Sequence, residues 1–486
     1  MSRPVTGKEF FMNNPKPVKH AAAVLTAIAL GAFLATFNET FLNVALTPIM
    51  HTFHINSGQV QWVSTAYMLV AAVTVPMVSF LFRSVPTRRL TTVAFIFLLA
   101  GSLIGAFSTA FPVLIVGRCV QAVGTGMIVP IGMNLTLLIA PKGRLGTYMG
   151  VVSAVTLLGP AFGPIAGGLL LSVSDWHLLF FVFSALTAAA LVVNLVFIDD
   201  YAVLSHPNLD VPSVMLVSLT LLGIMYGIST IFSQSVIVAI LAFVIGIVSA
   251  GLFVQRQHQL AEPLLDLRPF QDASFVKGVA VVFIAFMSVF AMNILLPLYM
   301  QNALGFSALD AALTLLVPCL SCVVFAPLAG SLYDRYGFKH SLPISLLVMA
   351  AFLLLMSTVT GTHTAGVQIA LIYLPILAGC NFSIGPTQSY VLDNLSEDLH
   401  PHGVTICYTA IQTAGCFGSS LYVGILSAVE QGRLAAGFKS ALAVTGGFHV
   451  SCATAAAVAL VGFVVALSLT WHPFAAAPKQ SSEQLS

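Results

Sequence analysis

Apolar stretches of membrane-crossing length follow one another along almost the entire chain, separated by short segments rich in charge, Gly, Pro or Asn. Each is long enough for an α-helix to traverse a hydrocarbon core about 30 Å thick. Fourteen helices are expected, over 21–46, 60–82, 90–110, 112–139, 146–173, 178–198, 211–231, 236–254, 275–298, 311–332, 341–359, 365–392, 404–428 and 447–471. The first run differs from the rest because it sets Thr36, Asn38, Glu39, Thr40 and Asn43 among apolar neighbours. An ionisable side chain at mid-membrane depth costs roughly 2.5–3.5 kcal/mol on insertion scales, so Glu39 points to a function. The plainer alternative is a carboxylate wetted near its helix end. On a continuous helix Thr36, Thr40, Asn43 and Thr47 form a polar stripe with Glu39 beside it, and Asn38 points to the opposite side. Glu39 is therefore expected to face a cavity.

Composition carries the same message for the whole chain. With 58% hydrophobic and 7% charged residues and a mean hydropathy of +1.00, there is too little polar surface to cover a soluble globule. The expected class is an all-α polytopic membrane protein with fourteen crossings. An even number puts both termini on one side; with both in the cytoplasm, 15 of the 18 Lys and Arg fall on the inner side. Arg433 and Lys439 fall outside, and Arg118 lies within a helix. Two longer inner connections, 199–210 and 255–275, bracket the seventh and eighth runs and give a six-plus-two-plus-six layout. The expected organisation is a cytoplasmic tail over 1–20, a six-helix bundle over 21–199, a linker with two inserted helices over 200–274, a second bundle over 275–471 and a cytoplasmic tail over 472–486. Two six-helix halves make a transporter layout, with the substrate path between them near the midplane. Residues 1–20 lack a short apolar run with a cleavage site, so the first helix is expected to act as an uncleaved insertion signal.

Several functional classes are excluded on the same grounds. A net charge of +2 from scattered basic residues leaves no nucleic-acid footprint. The seven cysteines fall within the runs, so no disulfide framework is expected; Cys319 and Cys322 form a CxxC without a second ligand pair, so no metal is expected either. The loops hold no nucleophile–base pair, which argues against an enzyme, and His400 and His402 beside Asp398 are expected to be solvated. No cofactor is implied.

Motifs in the loops and helices narrow the class. After the tenth run stands Gly330-Ser-Leu332-Tyr-Asp334-Arg335-Tyr-Gly337-Phe-Lys339, in which Asp334 can latch onto a helix N-terminus or a basic group while Gly337 permits the turn. This resembles the GxLxDRxGxK loop of the major facilitator superfamily. The matching loop after the second run keeps Arg83, Arg88 and Arg89 but lacks the acid and glycines. The fourth run carries Arg118-x-x-Gln121-x-x-Gly124-x-Gly126, similar to the RxxQGxG motif of proton-coupled antiporters, with Arg118, Gln121 and Thr125 on one helix face. A guanidinium inside a membrane needs a partner, and Glu39 is the acid available; snorkelling to the outer surface is the alternative. The fifth run holds Gly159, Pro160, Gly163, Pro164, Gly167 and Gly168, similar to the GPxxGG antiporter signature. Glycines at every fourth position leave a smooth face for a neighbouring backbone, and the prolines in step bend the helix. His177 after it reads as interfacial.

The first run in turn resembles the DxTIVNVALP signature of the fourteen-helix drug:proton antiporters, and Gln61-Trp62-Val63 with Ala66-Tyr67 is similar to the same family. The resemblance implies a proton-coupled exporter of lipophilic or cationic drugs working by alternating access, with Glu39 and Arg118 in proton coupling. This chain has Asn38 where the family has its protonatable Asp, so coupling must pass to Glu39 or be lost; Asn38 is then expected to bond Arg118 as a neutral partner. Expected cavity residues are Asn38, Thr40, Asn43, Gln121, Asn293, Asn381, Gln388, Tyr408 and Gln412. The implied partners are protons, a small-molecule substrate and the lipid bilayer of the cell membrane, around a monomer. Two alternatives stay open: export of one lipid, peptide or metabolite, and a transporter-like receptor or scaffold that no longer cycles.

Overall fold

A computed structural model describes residues 21–139, 145–201, 204, 210–231, 236–260, 263–336, 341–396 and 399–469. Helices occupy the apolar runs, and no strand occurs among the described residues. They are α1 (Ala21–Thr40), α2 (Leu46–Phe53), α3 (Trp62–Ser84), α4 (Thr87–Ala106), α5 (Phe111–Ile139), α6 (Leu145–Leu171), α7 (His177–Phe197), α8 (Val211–Thr230), α9 (Val236–Gln259), α10 (Ala273–Asn302), α11 (Ala308–Tyr336), α12 (Ser341–Val359), α13 (Gly366–Asp393), α14 (His400–Gly418), α15 (Gly424–Ala435) and α16 (Ser440–Leu467). Among the described residues, 12 helical spans are long and apolar enough to cross a membrane. The fifth run is occupied by α6, and the thirteenth by α14 and α15.

Local chemistry explains where several of these elements begin. Asn56 accepts from the Gln59 N–H at 2.8 Å while the Gln59 side chain accepts from the Asn56 N–H at 3.1 Å, a reciprocal cap on the single turn Ser57–Val60 before α3. Asp210 caps α8 through the Ser213 N–H, and Asp272 caps α10 through the Ser274 N–H. Asp210 also receives the fork of Arg256 from α9, at 2.6 and 2.5 Å. The guanidinium bonds hold its carboxyl down at about 2, so the ion pair persists throughout the physiological range.

The first run departs from expectation. A continuous helix over 21–46 is not formed: α1 ends at Thr40, Asn43–Ala45 make a 3-10 turn, and α2 carries the rod on to Phe53. Pro48 supplies the physical reason, because it has no N–H to return to the Val44 carbonyl and its ring crowds that carbonyl. A side chain from elsewhere replaces the missing donor: Gln301 Nε2 of α10 bonds Val44 O at 3.1 Å. The thirteenth run is also interrupted, by a π-turn at Ser419–Val423 between α14 and α15.

Contacts sort the helices into two groups and a pair. In one group α1 packs on α5, α6 and α7, α3 on α5, and α4 on α5 and α7. In the other α10 packs on α13, α14 and α16, α12 on α13 and α16, and α11 on α13. The groups meet along α3 with α14 and along α6 with α11. The pair α8–α9 stands outside, with α8 against α3 and α14. The following linker is fastened as well: the Asp266 N–H donates to His402 Nδ1 at 3.2 Å, so His402 is engaged rather than simply solvated.

Candidate functional site

Arg118 sits at the centre of the first group with no exposure at all, so it does not snorkel. Its Nε donates to the Val63 carbonyl at 3.1 Å, and its Nη1 donates to Asn38 Oδ1 at 3.1 Å, to the Asn38 carbonyl at 3.3 Å and to Gln121 Oε1 at 2.9 Å. The guanidinium carbon also lies 4.0 Å from the centre of the Tyr67 ring. Asn38 Nδ2 donates to the Tyr67 hydroxyl at 3.2 Å, which donates to Thr125 Oγ1 at 2.6 Å, and Gln121 Nε2 donates to Ser102 Oγ at 2.8 Å. A buried cation is thus held by carbonyl, amide and aromatic groups. No ion pair joins it to Glu39 among the described residues.

Glu39 is one residue on from Asn38, about 100° around the helix, and so points elsewhere. It lines a cavity of about 450 Å³ between the two groups, within the range of small-molecule sites. Gln412 Nε2 of α14 donates to Glu39 Oε1 at 3.4 Å, a long contact that joins the groups. Thr40 shares the lining with Val129 and Met133 of α5 and Val152 of α6. Opposite stand Phe286, Val289, Phe290 and Asn293 of α10, Cys319, Cys322 and Ala326 of α11, Leu377, Cys380, Asn381, Ile384, Gly385 and Gln388 of α13, and Tyr408 and Ile411 of α14. Glu39 is the one charged side chain in this lining among the described residues.

The structure therefore brings Glu39, Thr40, Asn293, Asn381, Gln388 and Tyr408 to one cavity, with Gln412 behind Glu39. Asn38, Asn43, Gln121 and Gln412 lie outside the lining. Asn38 and Gln121 are used up around Arg118, and Asn43, carried off the stripe by the break after Thr40, accepts from Ser64 Oγ at 3.2 Å. Cys380 and the phenylalanines of α10 were not singled out by the sequence, and Cys319 and Cys322 were noted only as a CxxC, not as cavity residues. Cys319 and Cys322 share a helix face by their spacing, the one signal that pointed to them.

The glycine face of α6 meets α1. A Cβ on Gly159 or Gly163 would strike Thr36 Oγ1 or Thr40 Oγ1 and the backbone of Phe37 or Phe41, and one on Gly167 would strike the Phe41 carbonyl. Gly168 instead faces α11, at Ala308 and Ala312. Pro164 is buried in this face. Gly330 has open space where a Cβ would stand. The side chains of Pro160, Asp334 and Arg335, and Gly337 and Lys339 altogether, lie outside the described residues.

Two helical groups around one cavity, with the arginine and glycine motifs at their inner faces, have a counterpart among known families: the family model of the Major Facilitator Superfamily matches residues 28–423. The chain belongs to the major facilitator superfamily. A lincomycin resistance protein of Listeria innocua is 32% identical over 413 residues, 84% of this chain and 87% of that protein. A riboflavin transporter of Clostridioides difficile is 26% identical over 413 residues, 83% of this chain and 88% of that protein. Among solved structures, a bacterial homologue of the human lysosomal transporter Spinster, inward-facing and unoccupied, matches with a TM-score of 0.64 at 15% identity, covering 95% of this chain and all of that one. As a major facilitator protein the chain is a multi-pass transporter of small molecules in the cell membrane, not an enzyme.

Proposed function

We propose that the protein is a proton-coupled exporter of amphiphilic cations, in which Glu39 binds a proton and the substrate, or the state the substrate stabilises, in alternation. The observation that carries this reading is Glu39, the single charged side chain of the cavity lining among the described residues, with Arg118 outside that lining and bonded to Asn38. The likeness to a lincomycin resistance protein supports export of drugs. In this reading the chain crosses the membrane fourteen times with both termini in the cytoplasm and acts as a monomer. Residues 21–199 and 275–471 are the two moving halves, and 200–274 is the linker with the inserted pair.

Orientation then gives the cavity a direction. At the outer ends Ser57 Oγ donates to Glu430 Oε2 at 3.0 Å, and Gly58 lies against Ser427. From Glu39 the cavity reaches toward the inner ends of α5, α6 and α13 at Met133, Val152 and Gln388. This is an inward-facing arrangement closed on the outside, and export requires its reversal. Loading and release of the proton follow from how close Glu39 comes to Arg118 and to water in each state.

The test is reconstitution in liposomes with an imposed pH gradient and a panel of lipophilic cations. Wild type is expected to release protons on substrate addition, and Glu39→Gln to abolish that release. Proton release that persists unchanged in Glu39→Gln removes Glu39 as the carrier. A second reading, export of one particular metabolite, draws support from the likeness to a riboflavin transporter; a panel exchange confined to a single compound favours it.

A further inference from the structure

The two walls of the cavity differ in kind. Among the described residues, the wall from the first half is apolar beyond Glu39 and Thr40, being made of Val129, Met133 and Val152. The wall from the second half carries the amides and the phenol of the lining among the described residues: Asn293, Asn381, Gln388 and Tyr408. These groups keep hydrogen-bonding capacity for a guest. Asn293 Oδ1 accepts from the Tyr373 hydroxyl at 3.1 Å, which leaves its Nδ2 to donate. Asn381 Nδ2 donates to the Leu377 carbonyl of its own helix at 2.9 Å, which leaves its oxygen to accept. Gln388 and Tyr408 make no hydrogen bond to another described residue. Asn381 and Gln388 are seven residues apart on one face of α13, so they mark an edge about 10 Å long running away from Glu39.

We infer that the cavity takes a monocationic amphiphile that carries hydroxyl, ether or carbonyl oxygens along one edge, such as a hydroxylated or glycosylated amine. This rests on the exporter reading and narrows its substrate class. The amine faces Glu39, the oxygen-bearing edge lies along α10, α13 and α14, and the hydrocarbon edge lies against α5 and α6. A hydrocarbon quaternary ammonium fills the same volume but leaves the amides unpaired once water is displaced, and unpaired polar groups are what a site discriminates against most strongly. Anionic guests gain nothing, because Arg118 is sealed behind Asn38.

The test uses two amines with one octyl chain and one positive charge each: N-octyl-N-methylglucamine, which is polyhydroxylated, and octyltrimethylammonium, which is not. In proteoliposomes of the full-length protein, kcat/KM for the glucamine is expected to exceed that for the quaternary amine about tenfold, as two hydrogen bonds allow. Gln388→Leu and Asn381→Leu are each expected to cut this ratio about threefold, and two variants guard against one that fails to fold. Binding is measured in parallel by equilibrium dialysis of the solubilised protein. Equal handling of the two amines, a ratio unmoved in both variants, or binding of neither overturns the inference. Preferential binding of the glucamine without export upholds it and overturns the exporter reading instead.

Discussion

At the scale of single residues, the unusual feature is a buried guanidinium whose neighbouring helix offers an amide. Asn38 serves Arg118 twice, through its side-chain oxygen and its carbonyl, and serves Tyr67 through its Nδ2. Hydrogen bonds to a charged group contribute about 1.5–3 kcal/mol each, and a donor stripped of its partner in a dry site costs more than the bond contributed. Asn38→Leu is therefore expected to destabilise the protein by about 2–4 kcal/mol, read as a lowered unfolding midpoint in detergent micelles. Arg118→Lys is expected to do the same, because one ammonium cannot reach Val63, Asn38 and Gln121 together. An unchanged midpoint in both variants would mean that water already shares this network. Part of the arrangement was legible beforehand: helical rotation alone separates Asn38 from Glu39 and sends only one of them toward the fourth run. That Gln121 belongs with Arg118 and Ser102, outside the cavity, was not legible, since a face shared within one helix does not say which neighbour it meets.

At the scale of elements, the sequence reads well wherever a helix is uniform and poorly where it breaks. The long apolar runs became helices, but the interruption at 41–45 was hidden, because the run looks continuous and Pro48 lies just beyond the end assigned to it. The polar stripe drawn through Asn43 and Thr47 failed for that reason. The glycine face of α6, in contrast, could be read directly from its spacing, and it accepts α1 at Gly159 and Gly163. A methyl group there meets backbone atoms, which cannot move aside as a flexible side chain can. Gly159→Ala and Gly163→Ala are each expected to lower initial export rates in proteoliposomes at least tenfold, since about 1.4 kcal/mol of misplacement already amounts to that factor. Gly330→Ala, with nothing near its added methyl in this state, is expected to keep the fold at wild-type thermal stability. Equal loss in all three would show that the helix contact is not what the glycines protect.

At the scale of the whole molecule, the two longer connections suggested a division into two groups of helices, yet they were silent on how the groups touch. Contacts between segments hundreds of residues apart leave no periodic trace in a sequence. The pair α8–α9 illustrates this: α8 meets one group through Tyr226 against Trp62, with rings 5.8 Å apart, and the other through Ser229 and Ser420, whose hydroxyl oxygens are 2.5 Å apart. Thr65 and Ser419 share a further hydrogen bond at 2.9 Å beside it, so α8 borders the seam between the two groups. The same seam supplies a direct test of rocking. A Cβ at Gly58 would lie 3.3 Å from that of Ser427, close to the roughly 3.5–4.5 Å that a disulfide spans. The double variant Gly58→Cys/Ser427→Cys is expected to cross-link under mild oxidation, to lose about nine-tenths of its export activity, and to regain it on reduction. Each single variant is expected to ignore the oxidant, because the native cysteines of α5, α11, α13, α14 and α16 are free and lie within the helices. Peptide mapping establishes the bond, and export that continues in fully cross-linked protein excludes opening at this end as a step of the cycle.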